Sequence, residues 1–386
     1  MKILLVNYEY KGQGGGAGQQ MYYLAQALRD SGHDVSLLIG WDNTLGLPEL
    51  LDGITTHIVK HKRKNIQLST PLGMLFFVMR GLLCINRLTK EQKYDIIQFY
   101  FSVPTGILKY GIKGRIPYVV SLRGMDIPGL HKGKNKVLSV FTSALNRNIT
   151  RSASNILCNS TESASTYRKF EPYANITVIP NSIDLKIRKK TSYSEEILRF
   201  VTVGRLISVK HIDILIESIT VLQKTYPGIT LDVYGQGYLY NSLRKQILDN
   251  KAEGFIHLKG YIGKVDLLEA LCENDVFLFA SIGDSCPNVL IEAMACGLPV
   301  LTSRSAGSID IVREGVTGLF SFPGDLNDTM KKIEFCINNP QEMKKYGLNG
   351  RKHVEMAYTT ESAALKHIDV FSKLLKQKNY NGRRFM

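Results

Sequence analysis

Short apolar segments of strand length alternate with helical patterns along this 386-residue chain. Such alternation predicts parallel strands joined by crossover helices, and hence sheets that carry helices on both faces. A chain of this length exceeds what one hydrophobic core normally supports, which indicates two domains. The expected fold class is therefore α/β, with two doubly wound sheets.

The apolar segments locate the strands and the domain limits. They cover residues 3–8, 35–40, 56–60, 96–101, 118–122, 155–159 and 177–180 in the first half, and 199–203, 231–235, 256–260, 276–280 and 299–303 in the second. Residues 186–196 are polar and lack apolar periodicity, which predicts a linker. The predicted domains are therefore 1–185 and 197–358, followed by a helical pattern at 359–386.

The segment 284–300 places two carboxylates, Asp284 and Glu292, where a loop becomes a helix. Pro287 suits the first helical position, so the backbone N–H groups of Asn288 and Val289 can meet an anion at the helix start. Because Asp284 precedes the helix and Glu292 lies more than a turn inside it, the two can hold hydroxyl groups at different points of one ligand. This arrangement predicts a nucleotide-sugar site.

Two alternatives remain for this segment. One is an ordinary amphipathic helix. The other is a hydrolytic carboxylate pair, although eight residues of continuous helix span about 12 Å, more than the usual separation of about 5 to 9.5 Å.

The same segment resembles the signature of the retaining GT-B glycosyltransferases of family four: an acid, seven residues, Glu, and then Ala-Met-Ala-x-Gly-x-Pro-Val. The resemblance covers nearly the whole chain. It implies two Rossmann-like domains that face each other across a cleft, with the nucleotide sugar bound mainly by the C-terminal one. It further implies that the terminal helix, at 359–386, crosses back to the N-terminal domain. It also implies that Asp284 contacts the donor sugar and Glu292 the ribose. The family usually has Glu at the first position, so the shorter Asp284 bears on the identity of the donor sugar.

Gly204, Arg205 and Lys210 follow a predicted strand and precede a helix. Arg contacts phosphate oxygens at two points and Lys adds a movable charge, so Arg205 and Lys210 can neutralise a leaving diphosphate. Cations are unfavourable at a helix start, which favours an anionic ligand over a solvent-facing pair. The resemblance gives the matching Arg and Lys the same role in the donor site.

A glycine-rich segment, 12–18, follows the first strand and precedes a helix. Such a turn brings backbone N–H groups close to a phosphate or an acceptor. The resemblance matches Gly15, Gly16 and Ala17 to the Gly-Gly-Ala loop of the family, and we assign Gly15 and Gly16 to the donor site.

The glycine-rich segment also supports an alternative. Gly12, Gly14 and Ala17 fit the Gly-x-Gly-x-x-Ala pattern, which is typical of a Rossmann-type nicotinamide-dependent oxidoreductase. The pattern expects an acid at the end of the second strand. The best candidate is Asp42, which lies further along the sequence than that position.

Arg123 and Asp126 end another N-terminal strand, where the family more often has His-Gly-x-Asp. The resemblance implies that this position faces the acceptor. Arg123 in place of His then favours an acceptor with a negative charge or a phosphate. A salt bridge between Arg123 and Asp126 that only holds the loop is the alternative.

Positive charge is concentrated in the N-terminal half. Residues 1–190 contain 26 Lys and Arg against 12 Asp and Glu, and so hold +14 of the net charge of +15. Basic runs lie at 60–64, 109–115, 132–136 and 186–190. This imbalance predicts an anionic surface or acceptor as a partner.

An apolar segment, 74–85, lies between the first two basic runs and is interrupted by Arg80. It is too short to span a bilayer of about 30 Å, but it can lie on one, because each Lys or Arg near an anionic leaflet adds about 1 kcal/mol. A buried helix beside a solvated loop is the alternative.

The six cysteines form no Cys-x-x-Cys pair and have no His at ligand spacing, and no Asp-x-Asp pair ends a strand, so neither disulfides nor a metal site is expected. The chain opens with an apolar strand and shows no secretory leader. The predicted location is cytoplasmic, peripheral on the inner face of the cell membrane.

These features predict a metal-independent glycosyltransferase that moves a sugar from a nucleotide diphosphate sugar, with UDP favoured, to a hydroxyl of a lipid-linked or cell-surface glycan. Arg205, Lys210 and Asp284 are the predicted catalytic residues, and Arg123 and Asp126 are predicted to bind the acceptor. No cofactor beyond the donor and no nucleic acid partner is expected. A non-catalytic membrane-binding module is a further alternative.

Overall fold

The computed structural model describes residues 1–65, 69–124, 126–128, 136–186 and 189–383. These residues divide into unit 1, Met1–Ser182 with Thr360–Met386, and unit 2, Ile183–Thr359. Residues 132–135 and 187–188 of two basic runs lie outside the described residues.

The segment predicted as a linker, 186–196, belongs to unit 2. The backbone N–H of Lys190 donates to the carbonyl oxygen of Cys296 at 2.7 Å, and its Nζ donates to that of Asn274 at 2.6 Å. The hydroxyl of Tyr193 donates to the carbonyl oxygen of Gly297 at 2.8 Å. Lys190 and Tyr193 therefore anchor this segment to unit 2, whereas other described residues of it, such as Glu195 and Glu196, are exposed.

Unit 1 contains a parallel seven-stranded sheet within the described residues. Its strands are β1 (Lys2–Asn7), β2 (Asp34–Trp41), β3 (Thr55–Lys60), β4 (Ile96–Tyr100), β5 (Tyr118–Leu122), β6 (Asn155–Cys158) and β7 (Ile176–Val178). Their order is β3-β2-β1-β4-β5-β6-β7. The inner strands are apolar on both faces because helices cover both, as predicted.

The helices of unit 1 before its last strand are α1 (Gly16–Asp30), α2 (Pro71–Glu91), α3 (Lys136–Arg151) and α4 (Thr161–Phe170), with short 3-10 turns at Asn43–Leu45 and Thr105–Gly111. α2 begins where it does because Thr70 Oγ1 accepts the Gly73 N–H at 2.9 Å and Pro71 occupies the first helical position.

Unit 2 contains a parallel six-stranded sheet. Its strands are β8 (Arg199–Val203), β9 (Thr230–Tyr234), β10 (Ile256–Gly260), β11 (Val276–Phe279), β12 (Val300–Ser303) and β13 (Gly318–Ser321). Its helices are α5 (Ile212–Leu222), α6 (Tyr240–Asp249), α7 (Lys264–Glu273), α8 (Asn288–Cys296), α9 (Ala306–Ile309), α10 (Leu326–Asn338) and α11 (Pro340–Ala357). The strand order is β10-β9-β8-β11-β12-β13.

The last helix, α12 (Thr360–Arg383), belongs to unit 1, where it packs on α1. Phe371 of α12 is completely buried in the same apolar cluster as Met21, Leu24 and Leu28 of α1. The hydrophobic core of unit 1 therefore includes the end of the chain.

The strand order decides where a ligand can bind in each unit. The order reverses between β1 and β4 in unit 1 and between β8 and β11 in unit 2. In open parallel sheets, ligands bind at the carboxyl ends of the strands beside such a reversal.

Candidate functional site

Two loops meet at the reversal of strand order in unit 2. The first follows β8 and contains Arg205 and Lys210, and the second follows β11 and contains Asp284. β8 and β11 pair directly, so their carboxyl ends lie side by side. The N–H of Ile282 donates to the carbonyl oxygen of Val209 at 3.0 Å, which joins the two loops.

Lys210 and Asp284 form an ion pair between these loops. Nζ of Lys210 donates to Oδ2 of Asp284, which also accepts a hydrogen bond from Ser281 Oγ. The Lys210 side chain is only 10 % exposed, and its ammonium lies 5.1 Å from the centroid of the Phe279 ring. Lys210 is thus not a solvent-facing cation, and two of the predicted catalytic residues are in direct contact. Ser281 is a contact that the sequence analysis did not identify.

Arg205 lies differently from Lys210. It is exposed, and within the described ranges no hydrogen bond or ion pair holds its guanidinium. Lys210 ends a 3-10 turn, Ser208–Lys210, after which His211 adopts a φ of 45° and α5 begins at Ile212. The predicted cation pair therefore consists of an anchored ammonium and an exposed guanidinium.

Glu292 lies in the second turn of α8 and forms an ion pair with Lys264, the first residue of α7. The Glu292 side chain is 13 % exposed. The sequence analysis missed Lys264, although a cation at a helix start is the same signal that it used for Lys210. Each carboxylate of the 284–300 segment therefore has a lysine partner.

The start of α8 differs from the prediction by one residue. The helix begins at Asn288, and Pro287 is its N-cap with an extended ψ of 110°, so Pro287 is not the first helical residue. The N–H of Leu290 donates to the Pro287 carbonyl oxygen at 3.1 Å. The N–H groups of Asn288 and Val289 belong to the first turn, which has no intrahelical acceptors for them.

Glycines allow the loops of this site to pack backbone against backbone. A Cβ at Gly307 would lie 2.0 Å from the carbonyl oxygen of Asp284. A Cβ at Gly235, which has a φ of 145°, would lie 1.8 Å from the carbonyl oxygen of Gly204. These contacts fix the backbone of Asp284 and of Gly204.

The glycine-rich segment of unit 1 surrounds the buried carboxyl group of Glu9. The N–H of Gly15, which we expected to face a ligand, donates to Oε2 of Glu9 at 2.9 Å. Gly14 has a φ of 120°, and a Cβ there would lie 2.6 Å from the Glu9 side chain. Burial raises the pKa of Glu9. The N–H of Gly15 is therefore bonded to Glu9 in this structure, and α1 begins at Gly16, inside the segment that was predicted to precede the helix. The donor contacts of Gly15 and Gly16 stay predictions.

Arg63 is a second residue of this region that the sequence analysis did not select. Its side chain is buried, and Nη1 donates to the carbonyl oxygen of Tyr8 at 3.4 Å. Nε and Nη2 are buried without a partner among the described residues. Burial lowers the pKa of Arg63, and the nearby Glu9 opposes that change. Such unpaired donors are unfavourable inside a protein and are usually satisfied by water or a ligand.

The acid required by the dinucleotide alternative is already engaged. Oδ1 of Asp42 accepts the Thr44 N–H at 3.0 Å, and Oδ2 accepts the Arg63 N–H at 2.8 Å. Asp42 therefore caps its own turn and cannot hold ribose hydroxyls without losing these bonds. Together with Glu9 at the N–H of Gly15, this geometry disfavours the nicotinamide site.

Asp126 holds the loop after β5 from inside. Its Oδ1 accepts the Arg123 N–H and its Oδ2 the Ser102 N–H, each at 2.8 Å. The Arg123 guanidinium lies 4.7 Å from the centroid of the Tyr100 ring and donates to Asn181 Oδ1 at 2.8 Å. The described side chains of Arg123 and Asp126 thus form no salt bridge with each other. Asp126 positions this loop, and Arg123 is the better candidate for contact with an acceptor.

Within the part of the chain that the structure describes, no group of three or more His, Cys, Asp or Glu side chains is arranged to hold a metal ion. The six cysteines are free thiols.

Known families match both halves of the chain. Residues 184–353 match the family described as Glycosyl transferases group 1, and residues 14–187 match Glycosyltransferase Family 4. One relative is a phosphatidylinositol N-acetylglucosaminyltransferase from Arabidopsis thaliana. It is 22 % identical over 394 residues, which cover 98 % of this chain and 83 % of that protein.

Two solved structures resemble the fold of the chain. Sucrose-phosphate synthase from Thermosynechococcus elongatus has a TM-score of 0.82 at 17 % identity, and the match covers 98 % of this chain and 100 % of that one. HepE from Anabaena, solved in complex with UDP-glucose, has a TM-score of 0.76 at 22 % identity, and the match covers 97 % of this chain and 100 % of that one.

Proposed function

The chain belongs to the group 1 glycosyl transferases, and we propose that it moves a sugar from a UDP-sugar to a hydroxyl of a lipid-linked or cell-surface glycan, with retention of the anomeric configuration. Membership of the family makes the chain a glycosyltransferase. The predicted GT-B fold, with two Rossmann-like domains, is confirmed by the two parallel sheets and the structural neighbours.

The Lys210–Asp284 ion pair is the observation that carries the proposal. It places an ammonium and a carboxylate together at the carboxyl ends of β8 and β11. A UDP-sugar needs both groups there, because its diphosphate binds cations and its sugar hydroxyls donate to carboxylates. In the proposed donor complex the diphosphate becomes the partner of Lys210, and Asp284 accepts hydroxyl groups of the sugar.

Other residues of unit 2 complete the proposed donor site. Arg205 is exposed and can turn toward the diphosphate, and the first turn of α8 supplies the N–H groups of Asn288 and Val289. Glu292 accepts the ribose hydroxyls while Lys264 holds it in place. We favour UDP because the similar HepE structure contains UDP-glucose.

The proposed chemistry needs no catalytic base from the chain. The bond from the anomeric carbon to the diphosphate oxygen breaks, the acceptor oxygen bonds to that carbon on the same face, and its proton passes to a phosphate oxygen. Arg205 and Lys210 stabilise the negative charge that develops on the leaving UDP. These cations perform the charge neutralisation for which other enzymes use a metal, which supports metal-independent transfer.

The acceptor is proposed to bind to unit 1 at Arg123. Its guanidinium is oriented by Asn181 and Tyr100 and suits a phosphate or another anion. The Arabidopsis relative is named for phosphatidylinositol, a lipid with a phosphate in its headgroup, which supports a lipid-linked acceptor.

A nucleotide panel tests the proposal. We expect UDP to raise the melting temperature of the purified chain more than GDP, ADP or NADH do. With the UDP-sugar that gives turnover, NMR of the product is expected to show the anomeric configuration of the donor, in the presence of a metal chelator. Stabilisation by NADH alone would overturn the transferase site, and an inverted product would overturn the retaining course.

A further inference from the structure

One helix of unit 1 exposes an unusual row of large apolar side chains. They recur along α2 at a spacing of three or four residues, and their exposed fractions lie between 43 % and 75 %. We call them the α2 stripe: Leu72, Leu75, Phe76, Met79 and Leu83. Exposed apolar residues that are scattered singly are normal on a soluble protein, but a contiguous row on one helix face marks an interaction surface.

The opposite face of α2 is part of the core of unit 1. Phe77, Ile85 and Leu88 are almost completely buried, and Gly81 allows Leu108 to approach the helix closely. By length and hydropathy alone, α2 is the one helix in the described part of the chain that could cross a membrane. Crossing would require this buried face to leave the sheet. The geometry therefore favours a helix that stays in unit 1 and binds along its length.

The charges along α2 are basic up to its last residue, the exposed Glu91. Residues 53–90 contain no Asp or Glu. Arg80, Arg87 and Lys90 are exposed and continue the row of the stripe toward the end of the helix. Arg80 donates to the carbonyl oxygen of Lys60 at 2.9 Å, which ties the helix to the basic run at 60–64. The partner of this face is therefore apolar at its centre and anionic at its edge.

We propose that α2 docks unit 1 onto an anionic phospholipid bilayer. The α2 stripe enters the boundary between headgroups and acyl chains, and Arg80, Arg87 and Lys90 meet lipid phosphates. The helix spans 21 residues, or about 31 Å, and lies flat as an interfacial helix because its opposite face stays buried in unit 1. The peripheral location expected from the sequence forms part of this proposal, which does not depend on the identity of the sugar donor.

Vesicle flotation tests the proposal with the full chain. We expect wild-type protein to float with vesicles of phosphatidylcholine mixed with phosphatidylglycerol and to remain unbound with phosphatidylcholine alone. The Leu75→Ser/Leu83→Ser variant is expected to lose at least about tenfold in partition coefficient, because it lacks two of the apolar side chains that are proposed to enter the bilayer. High salt is expected to weaken binding by wild type, since the basic residues are then screened.

A matched variant controls for the loss of an exposed leucine. Leu365→Ser removes a side chain that is 65 % exposed on α12 of the same unit, and is expected to bind as wild type does. A cooperative thermal transition near that of wild type, measured without vesicles or nucleotide, shows that each variant is folded.

Three results would overturn the membrane proposal. One is equal flotation of wild type and the double leucine variant, and another is no flotation of wild type with anionic vesicles. The third is a wild-type dimer in solution that the leucine substitutions dissociate, because the α2 stripe would then be an interface between two copies of the chain. Failure of membrane binding leaves the nucleotide panel unaffected, so the two proposals fail separately.

Discussion

Lys210 is the residue on which the proposed chemistry depends most. In the structure its ammonium is bound by Asp284, and in the proposed donor complex it is bound by a diphosphate. The two charges thus neutralise each other in this structure, and donor binding replaces one anionic partner of Lys210 by another. This exchange explains how a poorly exposed lysine that already has an anionic partner can be available to a ligand.

Replacement of Lys210 by methionine tests this role. We expect Lys210→Met to lower kcat by about 100- to 1,000-fold, because charge on the leaving UDP loses a preorganised cation. The measurement is the steady-state rate of sugar transfer from the UDP-sugar that gives turnover with wild type. Lys259→Met is the control, since Lys259 is an exposed lysine of the same unit near Asp232. Equal turnover of the two variants would remove Lys210 from the mechanism.

Gly307 tests the placement of Asp284. In Gly307→Ala, the new Cβ starts 2.0 Å from the Asp284 carbonyl oxygen, so the loop must move by about an ångström. Misplacement of this size can cost about 100-fold in rate, and we expect such a loss in kcat/KM. Gly254→Ala, which has no atom within 4 Å of its Cβ, is the control and is expected to keep wild-type kinetics. A fully active Gly307→Ala variant would show that Asp284 needs no such placement.

The sequence predicts some residues of the site but not their contacts. Asp284, Glu292 and Lys210 could be selected because their types and spacing resemble a known signature. The contact of Lys210 with Asp284 joins residues 74 positions apart, and only the pairing of two strands creates it. Glu9 belongs to no recognisable motif. Its contacts with Gly14 and Gly15 arise only when the glycine-rich segment folds around its side chain.

At the scale of elements, α12 contains a buried titratable group. His367 is buried, its Nδ1 lies 2.8 Å from the carbonyl oxygen of Ala363, and its ring packs against Phe371. Burial lowers the pKa of His367 from 6.5 to about 4, and the Ala363 carbonyl opposes that change. The folded state therefore keeps His367 neutral over a range of pH in which the unfolded chain protonates it.

The free energy of unfolding should consequently depend on pH through His367. The free energy of unfolding is not reduced by His367 above pH 6.5. It falls as the pH falls toward 4, by about 3 kcal/mol in total, because only the unfolded chain binds the proton in this range. Urea unfolding at a series of pH values measures the effect. We expect the His367→Leu variant to lose less stability than wild type between these two pH values, so the difference between the curves isolates this group. Parallel curves would contradict the prediction.

The strands were easier to predict than their order in the sheets. Each predicted strand exists within a residue or two, because apolar runs on both faces leave few alternatives. β13 was missed, since it has four residues, begins with Gly318 and is defined mainly by its pairing with β12. The position of β1 beside β4 also has no local signal, although it decides where the loops converge.

At the scale of the whole molecule, the proposal assigns the two substrates to different units. Donor residues such as Lys210 and Glu292 lie in unit 2, whereas Arg123 lies in unit 1. The uneven charge of the two halves of the sequence already indicated such a division. The resemblance had implied that the terminal helix returns to the N-terminal domain, but the residues that pack it there, such as Phe371, are known only from the structure.

Arg123→Ala tests this division of roles. We expect loss of most transfer activity with UDP affinity unchanged within about twofold, because of the two substrates only the acceptor is proposed to contact the guanidinium. Isothermal titration with UDP and a transfer assay give the two quantities. Arg115→Ala removes an exposed arginine of the same unit and is expected to be active. Unchanged turnover in Arg123→Ala would refute the acceptor role.

The α2 stripe has a consequence for kinetics. An enzyme held at a bilayer by this helix meets a lipid-linked substrate by lateral diffusion in two dimensions. Its velocity then follows the mole fraction of that substrate in the surface, and dilution with inert lipid slows the reaction even when the bulk amount of substrate is constant.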